Sequence, residues 1–233
     1  LLQAAHPAAL AGVSEHSRYQ EDPLGRLAGT TKWLTITSFG AKEFIEKEAA
    51  RVNAMHSKVI GSYIGKDGSK HDYAAKAEEY LLWVHCAFTD AFLKSYIHLG
   101  YKFKTSADQY VMEWAKSAEP LGLNNAPKSV VELEARLEEF RSDSLYANET
   151  TLNVVKFIMK PPFTKLGLIP FTIFANAAVA TMDPRDVELL GLQKRGKMWL
   201  KLSKGILVFL SAILGNESPS QKFARQRIDR LRK

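Results

Sequence analysis

Two histidines sit where an imidazole could do metal chemistry. His56 has Val52, Val59 and Ile60 within a helical turn, and His85 has Leu81, Leu82, Phe88 and Thr89. An imidazole among apolar neighbours is most often a hydrogen-bonded core residue, yet the same setting suits an axial ligand to haem iron. Arg26 and Thr30 lie four residues apart, so on a helix they share a face, with Trp33 one turn further. Such a pair suits a guanidinium and a hydroxyl turned to one bound group, since the arginine fork pairs with carboxylates. The plainer reading is a surface arginine and a threonine bonding back to its own helix. His6-Pro7 fits packing or capping at a helix start, and His16 fits a structural loop. His71 and His98 fall at loop and helix-end positions and receive no role.

Other chemistries lack their residues. The chain has no His-Glu-x-x-His, no Cys-x-x-Cys, no Gly-x-Ser-x-Gly, no phosphate loop and no dinucleotide fingerprint. A carboxylate-bridged di-iron site needs Glu-x-x-His pairs on bundle helices, and none occurs.

With 233 residues, 46% apolar and 24% charged, the chain has the make-up of a globular protein with a sizeable core. The net charge of +7 is concentrated in the last forty residues, from Lys194 and Arg195 through Lys197, Lys201 and Lys204 to Arg225, Arg227, Arg230, Arg232 and Lys233. Such a run is first a solvated helix face; it also suits peripheral contact with an anionic membrane, and nucleic acid is not the expected partner. Cys86 stands alone in an apolar run, where it packs as a small hydrophobe, and a reducing, cytoplasmic compartment fits it. No stretch reads as a bilayer span: 166–180 is interrupted by Pro170, and 205–215 is far short of the ~20 residues required. Leu1 opens inside a helical pattern, which implies further residues upstream.

Helical periodicity dominates, and the chain reads as one all-α domain over residues 1–233. Pro7 starts a helix over 7–14. Asp22-Pro23 caps and opens a second, over 23–39, that stops at Gly40. A third covers 41–62, with Ile45, Ala49, Val52, Met55 and Val59 on one face and His56 at its edge. A polar loop over 61–72 has room for a short hairpin. A long buried helix over 76–99 ends at Gly100, and Ser106 caps one over 106–121. Ser129 and Glu132 form a capping box for an acidic helix over 129–143. Helices over 148–159, 170–182 and 195–214 follow, with a short turn after Asp183-Pro184 and a basic helix after Pro219.

One ordered set of motifs carries more than its parts. It runs Gln3-Ala4-Ala5-His6-Pro7, Asp22-Pro23-Leu24-Gly25-Arg26-Leu27-Ala28-Gly29-Thr30, Met55-His56, Tyr73-Ala74-Ala75 and Trp83-Val84-His85-Cys86, continued by Asp108, Tyr110 and Leu121-Gly122. The order and spacing resemble the MpaB/latex-clearing protein (rubber oxygenase) catalytic-domain family, over residues 1–145 above all. The resemblance implies a globin-like helical core holding haem b, which cleaves carbon–carbon double bonds with dioxygen. It implies His56, thirty positions after Arg26, as the iron ligand, with His85 as reserve ligand or a group that fixes the site. Arg26 and Thr30 would then flank the haem edge or the bound dioxygen, and the substrate would be an unsaturated isoprenoid-like or lipid-like chain. Two departures stand out: Gly29 occupies the place of a lysine in rubber-cleaving members, and their acid–base glutamate has no secure counterpart. Rubber itself is thus not the expected substrate. The rival expectation is a non-catalytic helical module that binds lipid or haem at a membrane surface through its basic C-terminal helix.

Overall fold

The computed structural model describes residues 1–232, apart from the side chains of Lys165 and Leu166. Among them it is predominantly helical, with eleven α-helices and one two-stranded sheet. A 3₁₀ turn, Leu2–Ala5, leads into α1 (Pro7–His16), whose first position is Pro7. Helix α2 (Pro23–Phe39) starts as Asp22 predicts: its carboxylate accepts the Gly25 N–H at 2.9 Å. It stops at Gly40, where a Cβ would overlap the Ile36 carbonyl oxygen.

Helix α3 (Lys42–His56) ends six residues earlier than the apolar periodicity implies. The residues beyond it pair instead, as β1 (Ile60–Ile64) against β2 (Lys70–Ala74), antiparallel with Ile60 opposite Ala74 and Ile64 opposite Lys70. The cause is Asp67-Gly68, a hairpin turn in which Gly68 takes φ +79°. The hairpin ends on α1, where the Tyr73 hydroxyl donates to Glu15 at 2.9 Å.

Helix α4 (Glu78–His98) is the central strut and buries Trp83, His85, Cys86, Thr89, Asp90 and Leu93. Helix α5 (Ala107–Ala115) is capped by Ser106 but ends well before residue 121. Pro120 has no N–H to continue it, and a 3₁₀ turn at Glu119–Leu121 closes the segment. Helix α6 (Val130–Asp143) has half of the expected capping box: Ser129 accepts from Glu132 N at 3.2 Å, while the Glu132 carboxylate accepts from Lys128 N. Helix α7 (Glu149–Met159) has a complete box between Asn148 and Thr151.

Helix α8 (Lys165–Thr181) begins before Pro170 rather than at it. The proline sits near the helix start on the exposed side, where one forfeited backbone bond is tolerable. Helix α9 (Pro184–Leu189) is short, α10 (Lys197–Leu214) lies against α8, and α11 (Pro219–Leu231) completes the chain.

The core gathers residues of the first turn and of α1, α4, α5, α6 and α7, around Trp83, Val111, Leu133 and Leu137, none more than 2% exposed. Arg141 ties α6 to α9 with two parallel bonds to Asp186, at 3.0 and 2.9 Å. Asp186 is 2% exposed, so truncating one partner strands the other charge in the core. Asp186→Ala and Arg141→Met are each expected to lose about 3 kcal/mol in urea unfolding. The double variant Arg141→Met/Asp186→Leu should recover most of that loss.

His6 packs inside the aromatic cluster, 5.5–6.1 Å from the rings of Tyr80, Trp83 and Phe140. Neither ring nitrogen reaches a partner beyond its own backbone among the described residues. Glu79 comes within 3.9 Å but is itself half in water; burial, opposed only by a backbone hydrogen bond, lowers the His6 pKa to about 4. The unfolded chain takes up this proton near pH 6.5 and the folded chain only near pH 4, so stability is lost as pH falls through that window. Thermal unfolding should show that acid limb, and His6→Leu should flatten it.

Candidate active site

The apolar positions that recur every three or four residues converge on one internal cavity of about 620 Å³. Helix α1 contributes Ala8, Ala9, Gly12 and Val13; α2 contributes Arg26, Gly29, Thr30 and Trp33. From α3 come Arg51, Val52, Met55 and His56, and from α4 Leu81, Val84, His85 and Phe88. Trp114, Val154 and Ile158 complete much of the remaining wall. The volume lies within the range of small-molecule and cofactor sites, and so does the character: mostly apolar, with a few polar groups.

All four residues singled out in the sequence line this cavity. The Arg26 guanidinium donates to the Thr30 hydroxyl at 3.0 Å, and that hydroxyl donates to the Arg26 carbonyl oxygen at 3.3 Å. The threonine therefore does bond back to its helix, but it also holds the arginine. Arg26 has no carboxylate partner among the described residues. It keeps contact with water through the cavity, while the surrounding protein desolvates it and lowers its pKa. His56 feels the same burial first and then the Arg26 charge, and both lower its pKa. Burial lowers the His85 pKa to about 4. Both imidazoles are thus neutral at pH 7, the form in which a nitrogen can bind a metal.

His56 Nδ1 and His85 Nε2 are buried without a hydrogen-bond partner among the described residues. The His85 ring stacks on Trp114, with centroids 6.5 Å apart and planes at 17°. The Trp114 Nε1 is likewise unpartnered. No cluster of three His, Cys, Asp or Glu side chains able to hold a bare metal ion occurs among the described residues. A haem needs less of the protein, because the porphyrin brings four nitrogens and asks for one axial imidazole and an apolar slot. The residues present fit that group: two unpartnered imidazoles, an arginine without a carboxylate and apolar walls.

The structure also brings in residues that the sequence reading passed over. Arg51 lines the cavity and makes two bonds to Glu48, at 3.0 and 2.7 Å. Glu48 also pairs with Lys32 of α2 at 3.0 Å, which fastens α2 to α3. The two long cationic side chains cover the carboxylate and, Arg51 foremost, hold its pKa down at about 2. The Glu48–Arg51 spacing of three residues was a local signal; the Lys32 contact had none. His6 lies outside the cavity wall and packs within the aromatic cluster. His16 contacts the Ile60 carbonyl at 3.1 Å and so holds the hairpin, which agrees with its structural reading. His71 joins Asp67 and Ser69 in the hairpin turn, and His98 contacts the Lys94 carbonyl.

At Gly29 an added Cβ would meet nothing within 4 Å.

Residues 1–210 match the family described as ER-bound oxygenase mpaB/B'/rubber oxygenase, catalytic domain. No curated protein and no solved structure matches the chain. A match over so much of the chain, together with the all-α fold, places this protein in the mpaB/rubber oxygenase catalytic-domain family.

Proposed function

We propose that this chain is a haem-b-dependent oxygenase acting with dioxygen on an unsaturated, isoprenoid-like or lipid-like substrate. The observation that carries the proposal is the convergence of Arg26, Thr30, His56 and His85 on one mostly apolar cavity. In this reading His56 would hold the haem iron. Arg26, free of any carboxylate among the described residues, pairs with a haem propionate or lies at the edge of the reaction space. His85, stacked on Trp114, stands in reserve or fixes the pocket.

Bound there, the haem supplies the redox chemistry with dioxygen, as cofactors do, while the protein supplies orientation and polarity. The chain's own groups do the rest. Trp33, Val84, Phe88 and Ile158 exclude water and align a hydrophobic chain. The Thr30 hydroxyl, fixed by the Arg26 carbonyl, keeps the guanidinium in place. The missing lysine at Gly29 and the missing glutamate counterpart point away from rubber and toward a smaller unsaturated molecule.

The test is the absorption spectrum of protein produced with a haem precursor. The intact protein should show a Soret band that His56→Ala abolishes and His85→Ala keeps. Arg26→Leu should retain the band but weaken haem retention about tenfold, the loss of one charge-assisted bond. A band lost only in His85→Ala would move the ligand to His85. No band in any sample would refute the haem reading and favour a helical lipid-binding module.

A further inference from the structure

Net positive charge and exposed apolar surface coincide in one part of the molecule. Residues 194–233 hold eleven Lys and Arg against two Asp and Glu, more than the whole chain's excess of +7. In the same segment α10 buries Leu200 and Ser203 but leaves its last two turns bare. Phe209 and Ile213 are each 64% exposed, and Leu214 is 75% exposed. Helix α11 buries no residue and presents Phe223 and Leu231, 67% and 82% exposed. Scattered apolar residues on a surface are ordinary; so many exposed on two successive helices that also carry cations mark an interaction surface.

The chemistry of the pair selects the occupant. A nucleic acid would use the cations but not the phenylalanines. A bilayer with anionic headgroups uses both, because apolar side chains enter the acyl boundary while Lys and Arg stay at the phosphates. Among the described residues no single helix is long and apolar enough to cross a membrane; α10 and α11 have the combined length and composition of a broken span, bent by 61° at their junction. Helix α11 and its C-cap, however, carry Lys222, Arg225, Arg230 and Arg232, which hydrocarbon would reject and a membrane surface would accept.

We propose that the distal half of α10 and the whole of α11 form an amphipathic elbow that lies in the plane of a membrane surface bearing anionic lipids. The elbow is tied to the cavity wall. Arg227 of α11 donates to the carbonyls of Phe39 and Gly40, both at 3.0 Å, at the end of the helix that carries Arg26 and Thr30. Docking would therefore hold that wall close to the lipid.

Flotation of the full chain with vesicles tests this directly. Phosphatidylcholine vesicles containing phosphatidylserine should bind it, plain phosphatidylcholine should bind it far less, and salt should release it. Lys222→Gln/Arg230→Gln/Arg232→Gln removes three exposed cations and should weaken partitioning on the order of a hundredfold, at roughly fivefold per charge. Phe209→Ser/Ile213→Ser should also weaken it, with the remaining binding still sensitive to salt. Circular dichroism checks that both variants keep the fold. Failure of the intact chain to bind phosphatidylserine vesicles would overturn the proposal. So would equal binding to both vesicle types, or a soluble dimer that Phe209→Ser/Ile213→Ser dissolves without any vesicle binding.

Discussion

The Glu48 carboxylate carries more of this architecture than its size suggests. It has 6% of its side chain in water and two cations upon it, Lys32 from α2 and Arg51 from its own helix. Helix α2 fully buries no side chain and only half-buries Trp33, Leu34, Ile36 and Phe39, yet it bears Arg26 and Thr30. Its place depends on polar contacts at three heights. Asp22 caps its start, Lys32 pins its middle to Glu48, and Arg227 holds its last carbonyls. An exposed pair would contribute roughly 0–1 kcal/mol. A carboxylate covered by its own partners is different, because removal of a cation leaves a desolvated charge behind. The same carboxylate orients Arg51 along the cavity, so anchor and wall share one group.

Burial keeps three imidazoles neutral, but in two unlike settings. His6 is enclosed by aromatic rings, and its neutrality is a matter of packing. His56 and His85 line open volume with a nitrogen unpartnered. A buried polar atom without a partner costs about 1–3 kcal/mol, and folded proteins keep few of them. Four around one cavity, on Ser17, His56, His85 and Trp114, beside an arginine that lacks a carboxylate, break the local rules together. Such departures are expected where a ligand rather than the protein completes the contacts.

What could be read in the sequence follows from range. Caps and breakers act within a few residues, so Asp22, Ser106, Ser129 and Asn148 marked helix starts that the structure keeps. Helix ends were less legible. Apolar periodicity ran through Val59 into Ile60, but the Asp67-Gly68 turn diverted those residues into a strand. Pro170 looked like a start and proved to lie inside a helix, because its exposed side tolerates a lost backbone bond. The four site residues were visible as i, i+3, i+4 faces, and the resemblance gave them roles. Lys32, Arg51 and Trp114 were not visible as site residues. Their meaning comes from partners at long sequence separation or from the cavity that they close.

Gly29 shows how a departure from a family pattern can shape a site. A glycine inside a helix costs up to about 1 kcal/mol in propensity relative to alanine. Where a Cβ would clash, that cost is forced; here a Cβ would meet nothing, so sterics do not require the glycine. The position faces the cavity between Arg26 and Trp33, with Thr30 beside it. A lysine there would place a cation on the cavity lining. Leaving it bare enlarges the space beside those groups and removes a cation from it. The site that results is roomier and less charged than one with a lysine. Arg26 and Arg51 are then the cationic groups on the α2–α3 side of the cavity.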